Sequence, residues 1–156
     1  MSKPWKIIQE LETDNSRLFK ESIVEKNLNN QIFQEGLAMC LDSLVTFGVK
    51  QVPKSNADGE GLKWDHFKKA ANLLIERERT GHAARDLIED LMHSAKINQW
   101  NDWYRRILIK DLRCGVSEKT VNNVAKKMKP EAPAILDGRV ARLIKGTSEF
   151  LSLIHI

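Results

Sequence analysis

Apolar residues recur at three- and four-residue intervals along nearly the whole chain, and that spacing puts one apolar stripe on each of a series of α-helices. Trp5, Ile8 and Leu11 form the first stripe, and Leu18, Phe19 and Ile23 form the second, behind the capping candidate Ser16. A longer stripe uses Phe33, Leu37, Cys40, Leu41, Leu44 and Val45, and Phe47-Gly48 closes it. Residues 53–61, with Pro53, Asn56, Asp58, Gly59 and Gly61, read as a loop. Helices are then expected over 64–79, burying Phe67, Ala70, Ala71 and Leu74, and over 82–95, burying Ala84, Leu87, Ile88, Leu91 and Met92. Asn98 or Asn101 starts the next, with Trp100, Trp103, Tyr104, Ile107, Leu108 and Leu112 inward, and Ser117 starts the last, with Val121, Val124, Ala125 and Met128. Only Val49 to Val52 resembles a strand. The expected fold is all-α, a compact bundle of six or seven helices over residues 1–130. Pro130 and Pro133 break the pattern, so 131–150 reads as a linker or a non-native segment.

With 156 residues, 42% hydrophobic and 29% charged, the chain suits one globular domain and excludes a disordered one. No apolar run approaches the roughly 18 residues of a membrane span, and the opening Met1-Ser2-Lys3-Pro4-Trp5 lacks a signal-peptide core. A cytoplasmic, reducing setting is expected, without membrane association. Cys40 and Cys114 lack metal-site or disulfide-framework spacing and read as buried thiols.

The positive charge is unevenly placed. Residues 1–100 carry 14 basic and 15 acidic side chains, whereas 101–130 carry 8 basic and 3 acidic. The excess is the footprint of a surface that meets a polyanion. Residues 103–129 read as a basic helix-turn-helix hairpin. On the first helix Arg106, Lys110 and Arg113 fall within about 60° of one another, away from Tyr104, Ile107 and Leu108. On the second, Lys119, Asn123 and Lys126 oppose the apolar stripe. Between them Gly115 permits close backbone approach, Val116 and Val121 occupy the hydrophobic-staple positions, and Ser117 caps the helix. A helix start of that kind suits phosphate and predicts sequence-independent backbone binding. Asp111 lies towards the apolar side of the wheel; it either pairs with a basic side chain or turn N–H groups, or is solvated at the helix end. Thr80-Gly81, beside Arg77, Arg79 and His82, is either a plain helix boundary or a second phosphate contact. Asp86, Glu89 and Asp90 share a helix face that reads as solvated charge, with metal-dependent nuclease chemistry as the minor alternative. No His spacing suits a metal, and no Gly-Lys pair of a phosphate-binding loop occurs.

The run YRRILIKDLRCGVSEKTV, Tyr104 to Val121, resembles a segment of the N-terminal DNA-binding domain of ATP-dependent DNA ligases, particularly those of bacteriophages. Helix 64–79 running into Thr80-Gly81-His82-Ala83-Ala84 fits the same family, and the resemblance covers about residues 3–130. It implies a monomeric helical domain that grips the backbone of nicked double-stranded DNA in replication, recombination and repair. Carried over by position, it implies contacts at Arg106, Lys110, Arg113, Gly115, Val116, Ser117 and Lys119, with Thr80 and Gly81 as further candidates. ATP and Mg²⁺ would serve the remainder of such an enzyme. Its adenylation motif, K-x-D-G, needs a lysine nucleophile, but Asn56 and Ile135 stand where Asp58-Gly59 and Asp137-Gly138 would require it. This chain is therefore expected to be inactive alone, a ligase fragment without catalytic residues. Leu151 to Ile156, LSLIHI, is expected to be a sequencing-adapter artefact. A stand-alone DNA-binding accessory protein and a helical protein-interaction module are the alternatives.

Overall fold

A computed structural model describes residues 3–128; the expectations for 131–150 and 151–156 lie outside the described residues. It is all-helical, and seven helices are present among the described residues. They are α1 (Pro4–Leu11), α2 (Arg17–Asn27), α3 (Gln31–Leu41), α4 (Trp64–Ile75), α5 (Gly81–Ser94), α6 (residues 97–108) and α7 (Glu118–Met128). Local chemistry explains most starts. Pro4 occupies the first turn of α1, where its missing N–H costs nothing. Ser16 and Asn30 accept from the Phe19 and Phe33 amides and cap α2 and α3.

Three helix ends and one absent strand correct the sequence reading. Helix α3 stops at Leu41 because Asp42 turns extended and its carboxylate accepts the Leu44 amide, so Leu44, expected inside, is 67% exposed. Val49 to Val52 forms no strand among the described residues. Helix α4 ends at Ile75, and Arg77 then adopts φ +61°. Helix α6 ends at Leu108, five residues short of Arg113, and Lys110 takes φ +58°. Both ends carry the same paired bonds: Glu78 N–H to the Leu73 carbonyl with Arg77 N–H to Leu74, and Asp111 N–H to Arg106 with Lys110 N–H to Ile107. This is a Schellman closure with a cationic residue in the left-handed position that glycine usually takes.

Helix α6 organises the core. Its middle turn, Trp100–Tyr104, is a π-helix, and Trp100, Trp103, Tyr104, Ile107 and Leu108 are all buried. Tyr104 packs on Phe67 at 4.4 Å between ring centroids, and Trp64 lies over both rings. The same helix orders the long connection between α3 and α4, whose backbone groups would otherwise lack partners. Trp100 Nε1 donates to the Pro53 carbonyl, Asn101 bonds both backbone groups of Ser55, and the Tyr104 hydroxyl donates to the Leu62 carbonyl at 2.6 Å. Gly59 lies so near the end of α5 that a Cβ there would stand 2.2 Å from the His93 carbonyl oxygen. Cys40 and Cys114 are buried free thiols, and burial pushes the Cys40 thiol up to about 12.

Helix α7 packs on α2 and is tied to it by Lys127 Nζ, 2.8 Å from Glu21 Oε1. That hydrogen bond and the nearby cationic charge hold the Glu21 carboxyl below its ordinary value. A carboxyl lowered by folding contributes stability above its unfolded pKa, and the contribution fades as pH falls through the folded one. The thermal midpoint of the protein should therefore exceed that of Glu21→Gln at pH 7, and the difference should shrink as pH is taken down to about 3. Midpoints that stay equally far apart across that range would show that the carboxylate's charge plays no part.

Candidate nucleic-acid interface

The expected contact surface divides into side chains already engaged by the protein and side chains facing solvent. Arg106 belongs to the first group. Its side chain is 14% exposed, pairs with Glu12 and Asp102, and donates to the Asn101 and Leu112 carbonyls. Lys110 is also turned inward, its Nζ donating to the Met39 carbonyl at 3.1 Å and the Asp42 carbonyl at 2.7 Å. It thereby closes the carboxyl end of α3, where carbonyls lack helical partners and a cation is favoured. Burial, the main cause, lowers its pKa. The single positive face expected from the helical wheel is thus absent. Helix α6 stops before Lys110, and both Arg106 and Lys110 serve packing within the domain.

Arg113 is exposed and takes φ +53°. Asp111, also exposed, accepts the Arg113 amide at 3.0 Å and lies 3.9 Å from its Nε. Of the two readings of Asp111, pairing within the turn is the one observed, although the residue faces solvent rather than the apolar side.

Gly115 has φ +76°, and a Cβ there would stand 2.8 Å from Lys20 Cε. Sequence reasoning missed Lys20. Its side chain is buried, and Nζ donates to the Leu11 carbonyl at 2.7 Å and to the Cys114 carbonyl, clamping the turn to the end of α1. A lysine within a helix gives no sequence signal for such a role. Val116 and Val121 are both buried. Ser117 Oγ accepts the Thr120 amide at 3.3 Å while Thr120 Oγ1 accepts the Ser117 amide at 3.3 Å, a reciprocal cap that fixes the start of α7. Glu118 stands in that first turn, and its carboxylate competes there with any incoming anion.

Lys119 and Lys126 are exposed, Asn123 is half-buried, and Val121, Val124 and Ala125 of the same helix face the core. Thr80 and Gly81 are exposed at the start of α5, where Thr80 makes no side-chain cap and Gly81 has φ +54°. Gly81 lines a groove together with Arg105 and Arg113, so two regions well apart in sequence meet on one surface. Asp86, Glu89 and Asp90 are exposed on α5, and no group of three or more potential ligands able to hold a metal occurs among the described residues. No helix among them is long and apolar enough to cross a membrane.

No family model matches the chain. Over 135 residues it is 26% identical to the DNA ligase of Enterobacteria phage T4, and equally to that of Enterobacteria phage T6, covering 84% of this chain and 28% of each ligase. The solved structure named Pmar-Lig_PreS3 superposes with a TM-score of 0.79 at 51% identity, over 81% of this chain and 30% of that one. A second, named Pmar-Lig_Pre, aligns to the same extent. The chain is similar to part of a DNA ligase. It spans less than a third of the length of the ligases and structures it matches. Half the aligned residues of the solved structures are identical, which carries the likeness beyond fold alone.

Proposed function

We propose that the chain is the duplex-gripping, N-terminal DNA-binding part of an ATP-dependent DNA ligase, acting as a monomer on nicked DNA in replication, recombination and repair. The likeness to ligases over more than four-fifths of its residues carries this reading. The geometry adds a mode of contact. Arg113, Lys119 and Lys126 are solvent-facing cations around a turn held rigid by Lys20 and by the reciprocal Ser117–Thr120 cap. If these cations meet phosphates rather than base edges, binding through them would be independent of sequence. Nucleotide transfer would fall to the rest of the enzyme, which supplies the adenylation lysine and uses ATP and Mg²⁺. Residues 3–128 would position the nick.

The test is equilibrium binding of labelled nicked duplexes at several salt concentrations. The protein should bind with dissociation constants on the order of 10⁻⁴ to 10⁻⁶ M near physiological salt. Lys119→Gln with Lys126→Gln should weaken every duplex alike and reduce the logarithmic salt slope by about one per cation lost. Salt-insensitive retention of an acidic protein, with no retention of DNA, would replace this reading with a protein-interaction module.

A further inference from the structure

A second basic surface lies in a groove of about 1240 Å³ lined by residues 48–53, the first turns of α5 and the stretch from Arg105 to Arg113. Four cations border it, Lys50, Arg85, Arg105 and Arg113, against two carboxylates, Glu89 and Asp111. Lys50 and Arg85 are exposed, and their side chains make no hydrogen bond or ion pair among the described residues. Arg105 is held through Nε, which donates to the Val52 carbonyl at 2.8 Å, leaving its two terminal nitrogens without partners among the described residues. The Asp111 carboxylate, which accepts the Arg113 amide, lies 3.9 Å from the Arg113 guanidinium, and both side chains are more than half exposed. Burial lowers the Arg105 pKa first, and the like charges of Arg113 and Arg106 lower it further. An anion in the groove would relieve that crowding.

We propose that this groove takes the sugar-phosphate backbone of the DNA, with Lys50, Arg85, Arg105 and Arg113 as its phosphate contacts. The proposal rests on the DNA-binding reading above and adds Lys50, Arg85 and Arg105 as a track that joins the outer face of α7 through Arg113. Three of the four cations are arginines, whose planar forks match phosphate oxygens in pairs. The groove exceeds the roughly 300–1,000 Å³ of ordinary small-molecule pockets, which suits an extended polymer segment better than a single free anion. Arg113 lies four residues before Ser117, so the groove leads along the chain to the start of α7. Lys50 and Arg85 gave no signal in the sequence because each stands outside the basic segment, and only the fold brings them beside Arg105.

The experiment measures binding of the full chain to a nicked duplex between about 0.05 and 0.3 M salt, for the unaltered protein, Lys50→Gln/Arg85→Gln and Lys119→Gln/Lys126→Gln. The groove variant should keep its thermal midpoint. It should bind roughly tenfold to a hundredfold more weakly at 0.1 M salt, with a slope shallower by about two. A groove variant with unaltered affinity and slope, beside an α7 variant that loses both, would overturn the groove and leave DNA binding standing. If the unaltered protein retains no duplex even at the lowest salt, both readings fall.

Discussion

Arg106→Ala is expected to lower the thermal midpoint by about 4–12 °C, corresponding to a loss of about 1–3 kcal/mol, because it removes a largely buried guanidinium that binds two carbonyls and two partly exposed carboxylates. Glu12 and Asp102 lose their cation, and the Leu112 carbonyl loses the donor that draws the chain back after α6. At temperatures where the variant remains folded, its logarithmic salt slope for DNA should match that of the unaltered protein. A phosphate contact at Arg106, as its position in the sequence suggests, would instead make the slope shallower by about 1. Calorimetry and a salt titration on one preparation separate the two outcomes. A shallower slope with an unchanged midpoint would return Arg106 to the contact surface.

Gly36→Ala should be at least as damaging to the fold. A Cβ at that position would stand 2.2 Å from Trp103 Cζ2 and 2.3 Å from Cη2. The indole is fully buried and stacks on Phe33, so it has little room to withdraw. Overpacking a rigid core costs about 1–3 kcal/mol and sometimes more. The expected result is a midpoint lower by about 5 °C or more, with altered tryptophan emission. Trp103→Phe in the same background removes the atoms in conflict and should recover part of the loss. Gly81→Ala is a useful contrast, since a Cβ there meets nothing within 4 Å and the expected cost is only that of its left-handed backbone, about 1 kcal/mol. A midpoint for Gly36→Ala no lower than that for Gly81→Ala would mean that the α3–α6 contact is looser than described.

The helices were legible because burial enforces periodicity, and Trp103, Tyr104, Ile107 and Leu108 announce the core face of α6 without help from tertiary structure. Their ends were less legible. Residues 105–113 contain no glycine, yet the helix closes at Leu108 because Lys110 adopts the left-handed conformation and gains two carbonyl partners on α3. Likewise Arg77 closes α4 and donates to the Thr46 carbonyl and hydroxyl. A wheel drawn through Arg113 therefore put Arg106 and Lys110 on an outer face that the chain does not form. The start and buried stripe of α7 were more legible, since Ser117 and the valines are local signals. Which cations remain free is a tertiary property: it depends on Glu12 reaching Arg106 and on the end of α3 reaching Lys110, contacts spanning 94 and 68 residues.

Residues 3–128 are proposed to grip DNA through the sugar-phosphate backbone of the duplex. The most direct test is titration of the unaltered chain against two nicked duplexes of unrelated sequence over a range of salt. Equal affinities for the two are expected, with a common, steep linear fall of log K with log salt. Affinity confined to one sequence, or binding indifferent to salt, would contradict it.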